Sequence, residues 1–252
     1  MNVAPGLSQT RRPDGAWTWT LDNPSRRNAI TPAALSWIAQ RCASLDGDVV
    51  VLEGAGDGFC SGFDLTALAD LLAREPDAMP DAPLVAATEA MNAADATFLA
   101  KLHGFVVGAG VELACACDFR LAADDAYFSV PAARLGVVYH LDGLVRLRTV
   151  FGRSAVRRLM LAGARLDAAE ALRVGAVDEV TRRGRLASLV DDLVKRLVGL
   201  DGRAVAASRR ALRGLDAIAV ASELRVEHDR ARRQAYARVR AATSANEAGP
   251  ED

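Results

Sequence analysis

The sequence predicts an α/β fold. Two short, nearly continuous apolar runs, Asp48–Leu52 and Thr97–Leu102, have the composition of strands buried in a parallel sheet. From Lys101 to Asp118 the chain reads strand, glycine turn, helix, and past Gly152 helical spacing dominates. At 252 residues with 51% hydrophobic and 25% charged content, there is material for one large domain, or for a core with a small appendage.

Taken in order, Ala16–Leu21 alternates as a half-exposed strand and Asp22-Asn23-Pro24 turns the chain out of it. Thr31-Pro32 supplies an N-cap and an N1 proline for a helix on which Leu35, Ile38 and Cys42 recur, ending at Ser44. The Asp48–Leu52 strand leads into the glycine-rich loop Glu53–Leu65, then an apparent helix Leu65–Ala73, then a proline- and acid-rich loop from Arg74 to Pro83. After the Thr97–Leu102 strand, His103-Gly104 breaks the pattern, Gly108-Ala109-Gly110 turns, and the small residues Val111–Cys117 wind into a helix. Helices follow at Ser154–Leu161, Asp167–Val174 (Asp167 as N-cap), Arg185–Val198 and Arg203–Leu212, with a brief strand at Val177–Val180. Ala219–Ala242 reads as one long helix with a thin apolar stripe of Leu224, Ala231, Ala235, Tyr236 and Val239, which calls for a partner surface rather than a core of its own. The polar tail Thr243–Asp252 is expected to fray.

Bulk properties exclude several function classes. A net charge of −1 gives no global field for nucleic acid or an anionic membrane. Positive charge is nearly all Arg, Lys101 and Lys195 being the lysines. Cys42, Cys60, Cys115 and Cys117 lack metal-site spacing and read as reduced and buried. With no apolar signal core and no run long enough to span a bilayer, a cytoplasmic location is expected. Gly108-x-Gly110 has no glycine three positions on, so a dinucleotide fingerprint fails.

The Lys101–Asp118 stretch carries the chemistry. A helix beginning at the glycine turn leaves backbone N–H groups unpaired, backed by the positive end of the helix dipole, and these suit a ligand oxygen that gains negative charge. Ala109 is the candidate donor. Glu112, nearly one turn on along the same side, can serve as a base there, or only as a favourable partner of the dipole. The glycines serve equally as plain turn formers.

Asn23–Ala29, Gly58–Leu65, His103-Gly104 through Gly108–Leu113, Cys117-Asp118, Phe128–Pro131, Leu135-Gly136, Asp167–Ala171 and Gly175–Asp178 together resemble the crotonase (enoyl-CoA hydratase/isomerase) superfamily over most of the chain. The resemblance implies a crotonase-like spiral of ββα units as the acyl-CoA-binding core, residues 1–190, with a C-terminal α-helical oligomerisation region, residues 191–252, building a homotrimer or hexamer. It implies two backbone amides, Phe63 and Ala109, that hold the thioester oxygen of an acyl-CoA as an enolate forms, with Glu112 moving a proton. It further implies CoA contacts along Phe63, Asp64, Leu65 and Thr66, with Ala29, Ser61 and Ala109 beside them, and phosphate contacts from Arg26 and Arg27, which read otherwise as surface charge. Coenzyme A enters as part of the substrate; no metal, flavin or nicotinamide is expected.

Two departures bear on the reaction. Hydratases of the family pair two glutamates, and the second falls at Ala132 here, so simple hydration is not expected and the isomerase template fits no better. His140 lies where some relatives place a catalytic acid, with Tyr139 and Asp142 as alternatives; His103 reads as structural. Two functions stay open: an enolate-forming hydratase, isomerase or lyase, and a family member that only binds acyl-CoA or an acyl-carrier protein.

Overall fold

In the computed structural model, which describes residues 1–67, 70, 79–216 and 222–247, the chain folds as an α/β protein around a seven-stranded sheet. The strands are β1 (Asn2–Ala4), β2 (Leu7–Arg11), β3 (Trp17–Leu21), β4 (Asp46–Gly54), β5 (Asp95–Leu102), β6 (Phe105–Val107), β7 (Phe119–Ala123), β8 (Tyr127–Ser129), β9 (Arg165–Asp167) and β10 (Glu179–Thr181). The large sheet has the order β1-β2-β3-β4-β5-β7-β10, antiparallel through β3 and parallel beyond it; β6-β8-β9 form a second, small sheet. The helices are α1 (Pro32–Cys42), α2 (Ala82–Ala93), α3 (Ala109–Ala116), α4 (Leu141–Leu161), α5 (Ala168–Arg173), α6 (Leu186–Val198), α7 (Gly202–Asp216) and α8 (Ser222–Glu247).

Burial explains the central strands. Val50, Leu52, Phe98 and Ala100 face the main core with Trp19, Leu35, Ile38 and Phe128, while Val49, Val51 and Leu99 meet Leu186, Val190 and Val194 of α6 on the opposite face. A strand covered on both faces has no polar side to show, which is why β4 and β5 read as continuous apolar runs. Thr31 caps α1, its hydroxyl accepting the Ala34 N–H at 3.1 Å, and Asp167 and Glu170 form a reciprocal capping box on α5. All four cysteines are free and buried.

Several boundaries differ from the sequence reading. The α3 helix starts at Ala109 rather than Val111, because Gly108, at φ 55°, already makes the turn. Ala82 and Pro83, read as the end of a loop, open α2; proline is tolerated in a first helical turn, where no N–H partner is needed. The Ser154–Leu161 helix is the second half of α4, broken at Gly152 (φ 74°), and the strand expected at Val177–Val180 forms at Glu179–Thr181. Leu65–Ala67 are helical as expected, and 68, 69 and 71–73 lie outside the described residues. The long C-terminal helix also departs from expectation: Ala235 and Tyr236 are buried against this chain itself, and Arg232 of α8 grips Asp81 with both partners nearly buried. Its stripe thus finds part of its cover within the chain, although Leu224 stays exposed.

Candidate active site

Two turns meet at the site. Ile30 and Phe63 form an isolated parallel bridge in which Ile30 N–H donates to Gly62 O at 2.8 Å and Asp64 N–H to Ile30 O at 2.9 Å. The Phe63 N–H therefore points away from this pairing, since successive amides of an extended chain alternate sides. Cys60 bridges to Val106, bringing the 58–63 loop against the end of β6, so that Gly62 packs on the Gly108–Ala109 turn. A Cβ on Gly62 would lie 3.4 Å from Val107 O and 3.8 Å from the Ala109 nitrogen. Neither the Phe63 nor the Ala109 amide donates to an acceptor among the described residues. Two unpaired N–H groups on touching turns, one at a helix N-terminus, match an oxygen that becomes negative.

Closeness is set by glycine at two places. A Cβ on Gly110 would sit 2.7 Å from Cys60 Cβ, and one on Gly104 2.0 Å from Asp57 O. Asn28, buried and at φ 53°, clasps the loop: its amide donates to Ala55 O at 2.6 Å and Gly58 O at 2.8 Å, and its carbonyl oxygen accepts the Asn23 N–H at 3.0 Å. Asn is one of the few residues that tolerates this left-handed backbone.

The residues expected along coenzyme A come together here. Arg26 pairs with Asp64 at 3.0 Å, and Asp64 in turn accepts the Thr66 and Ala67 N–H groups, capping the turn that carries the exposed Leu65. Arg27 lies 4.4 Å over the Phe105 ring, and the Ser61 N–H donates to its carbonyl. Ala29 is buried beside them. Arg26 and Arg27 thus hold partners of their own, yet both are exposed.

Glu112 is fully buried and bound on both oxygens. Arg146 donates to Oε1 at 2.6 Å and the Tyr139 hydroxyl to Oε2 at 2.6 Å, while His140 Nε2 lies 2.9 Å from Oε1 and 3.0 Å from Oε2. Burial pushes its pKa upward, but His140, by its hydrogen bond and by its charge when protonated, then the Arg146 charge and the Tyr139 hydroxyl outweigh it and hold the carboxyl below the ordinary range. Burial, with Glu112 beside it, raises the Tyr139 phenol well above its usual value. His140 caps α4, its Nδ1 accepting the Gly143 N–H at 3.0 Å; a Cβ on Gly143 would lie 2.7 Å from both His140 Nε2 and Tyr139 Cε1, so glycine lets the two stacked rings pass.

Of the other candidates, Asp142 is taken up by Arg225 of α8, and Ala132 is buried in a short 3₁₀ turn. His103 serves structure, its Nε2 3.0 Å from Gly56 O, with burial lowering its pKa. Arg146 escaped the sequence reading: it lies 34 residues from Glu112, and its place four residues after Asp142 suggests only a helix-surface ion pair. A separate cavity of about 1040 Å³ lies at the other end of α3, where Arg146 shares the wall with Cys115, Asp118 and Arg209. Among the described residues no three His, Cys, Asp or Glu side chains gather as a metal-ligand set, and none of the helices is long and apolar enough to cross a membrane.

Comparison with known proteins bears on the fold and the family. Residues 11–244 match the model of the enoyl-CoA hydratase/isomerase family. Carnitinyl-CoA dehydratase of Escherichia coli K12 is 34% identical over 199 residues, covering 77% of this chain and 75% of the relative. An enoyl-CoA hydratase/carnithine racemase from Magnetospirillum magneticum superposes with a TM-score of 0.78 at 29% identity, over 90% of this chain and 86% of that one. An enoyl-CoA hydratase from Mycobacterium avium subsp. paratuberculosis gives 0.79 at 26% identity, over 94% and 95%.

Proposed function

The chain belongs to the enoyl-CoA hydratase/isomerase family, and from that premise we propose an enzyme that forms an enolate from an acyl-CoA thioester, with Glu112 carrying the proton. The observation that supports it is the abutment of the Phe63 and Ala109 turns, both amides unpaired, one helical turn before a buried carboxylate. As the C–H bond beside the carbonyl breaks, its electron pair moves onto the thioester oxygen between the two amides and the proton passes to Glu112, whose Tyr139 hydrogen bond yields to the new one. Backbone donors at such a position are worth about 2.7–4 kcal/mol in the transition state. Coenzyme A lies along Arg26, Arg27, Ala29, Ser61, Asp64, Leu65 and Thr66, and the chemistry requires no metal, flavin or nicotinamide. The chain assembles as a trimer or hexamer through the helices after residue 190.

The Escherichia coli relative is by name a dehydratase; loss of water from a CoA ester and migration of a double bond share the same enolate, so proton exchange reports on either. The decisive experiment offers a panel of acyl-CoA thioesters in deuterated water and follows deuterium at the carbon next to the carbonyl. Incorporation that Glu112→Gln abolishes supports the reading, and none across the panel refutes it. One observation favours a second reading, a binding protein without chemistry: Glu112 is saturated by three donors while Ala132 stands where a second acid would be. Tight acyl-CoA binding with no exchange would establish that one.

A further inference from the structure

Three donors hold the Glu112 carboxylate, and their charges can be told apart. His140 Nδ1 accepts the Gly143 N–H, so that nitrogen is unprotonated and the ring is the neutral tautomer bearing its hydrogen on Nε2. The Tyr139 phenol is neutral as well. Arg146 is the one full positive charge that touches the carboxylate among the described residues, and a guanidinium does not deprotonate in a protein. Glu112 is also the one carboxylate within contact of Arg146 among them, because the neighbours that might compete are engaged elsewhere: Asp142 by Arg225, and Asp118 by Arg209 and Arg213.

From this geometry we infer that Arg146 is the positioning residue of the proton-transfer site, keeping Glu112 ionised in a dry surrounding and turning Oε2 toward Tyr139. An unpaired carboxylate so buried takes up a proton instead of staying charged. Held on Oε1 by Arg146, the group keeps one oxygen fixed, while Oε2 meets only the neutral donors Tyr139 and His140 and is the oxygen that exchanges protons. Other groups around the carboxylate do not supply the charge. Cys115, on α3, has its thiol pushed by burial to about 12, and burial raises the Tyr236 phenol of α8 as well, so both stay neutral. On the far side of Arg146, Glu89, Arg120, Arg209 and Arg213 line the same cavity wall, none of them paired with Glu112. The catalytic consequence rests on the proposed enolate chemistry; the ionisation of Glu112 does not.

The test is a pH titration of Arg146→Met and Arg146→Lys in the full-length protein, read in two ways. Carbon-13 NMR of glutamate-labelled protein, with the Glu112 signal identified by its loss in Glu112→Gln, reports ionisation without any substrate. Removing the charge in Arg146→Met is expected to raise the Glu112 pKa by about 1–3 pH units, with Arg146→Lys keeping most of the wild-type value. The acid limb of kcat/KM for α-proton exchange moves upward by the same amount while KM changes little. An unshifted Glu112 titration in Arg146→Met overturns the inference. If the wild type exchanges no α-proton, the proposed function fails, yet the carboxyl titration still decides the role of Arg146. Should Arg146→Met not fold, the double variant Glu112→Gln/Arg146→Met removes both charges and is expected to regain most of the lost Tm. A double variant as unstable as the single one shows that Arg146 serves something other than Glu112 and refutes the inference.

Discussion

Gly110→Ala tests whether the contact between α3 and the 58–63 loop sets the geometry of the proposed oxyanion site. The added Cβ would meet Cys60 Cβ at 2.7 Å, Cys60 O at 2.9 Å and Cys60 Sγ at 3.2 Å. An unstrained carbon contact needs about 3.5 Å, so helix and loop must part by roughly 0.8 Å, and the carbonyl among the three is backbone that cannot rotate aside. Overpacking of one methyl in a closed core costs about 1–3 kcal/mol, against which alanine regains about 0.5–1 kcal/mol of helix propensity. Net destabilisation of about 1–2 kcal/mol lowers Tm by about 3–6 °C in a chain of this size. The functional effect is larger. Ala109 precedes the displaced residue and Phe63 follows the displaced loop, so the two amides lose their common focus, and α-proton exchange falls about 10²–10³-fold, as for loss of one oxyanion donor. Gly184→Ala is the control: no atom lies within 4 Å of the new Cβ, and exchange and Tm stay at wild type. Thermal unfolding and deuterium incorporation measure both quantities. Wild-type Tm and wild-type exchange in Gly110→Ala would refute the claim that the two turns are held together by this contact.

Asn28→Ala removes two donated bonds and one accepted bond and places alanine at φ 53°; each buried group left unpaired costs about 1–3 kcal/mol, so denaturant unfolding should show one of the largest single losses in the protein. Ala132→Glu should raise hydration of crotonyl-CoA, which in the unmodified protein is expected to be absent or about 10²–10⁴-fold below a two-glutamate enzyme; unassisted rapid hydration by the wild type would show that another group already fills that role. Because Glu112 and Asp142 both titrate below the ordinary carboxylate range when folded, each contributes stability that is complete above the unfolded value near about 4 and is lost as pH falls through the folded one, so urea midpoints should be flat from neutrality down to about pH 5 and drop below it. Light scattering should give a trimer or hexamer, a monomer at micromolar concentration being the contrary result.

Legibility followed pattern length. β4, β5 and α1 announce themselves because each repeats one burial rule over five or more residues. β6, β8 and β9 are three residues each, too short for any period to show, and β2 (Leu-Ser-Gln-Thr-Arg) is a polar strand near the sheet's edge with one buried side chain. The Pro76, Pro80 and Pro83 cluster reads as loop, yet its last member sits in the first turn of α2, where a missing N–H costs nothing. Ala109 and Glu112 were visible because glycine spacing and helix geometry put an open amide and a carboxylate on one side of a helix start, whereas Phe63 came only with the family resemblance. Tyr139 and Asn28 lay inside noted stretches, but their partners come from separate elements, and sequence spacing says nothing of such meetings.

Competition between partners decides which side chains belong to the site, and it does so through the C-terminal helix. Asp142 and Arg146 stand four apart on α4, the spacing at which a helix-surface pair forms. Arg225 of α8 takes Asp142 at 3.0 Å instead, and His228 of the same helix lies 2.7 Å from the Tyr139 carbonyl, so the loop bearing Tyr139 and His140 is braced from outside. Released from Asp142, Arg146 turns inward to Glu112, the one carboxylate it pairs with among the described residues. The surface pair would be worth about 0.3–0.5 kcal/mol, whereas leaving Glu112 charged and unpaired costs about 3–5 kcal/mol, so the inward pairing wins by a wide margin. A helix more than a hundred residues downstream of Glu112 thereby helps determine how that carboxylate is held, and a change at Arg225 or His228 bears on the site although neither residue touches the carboxylate.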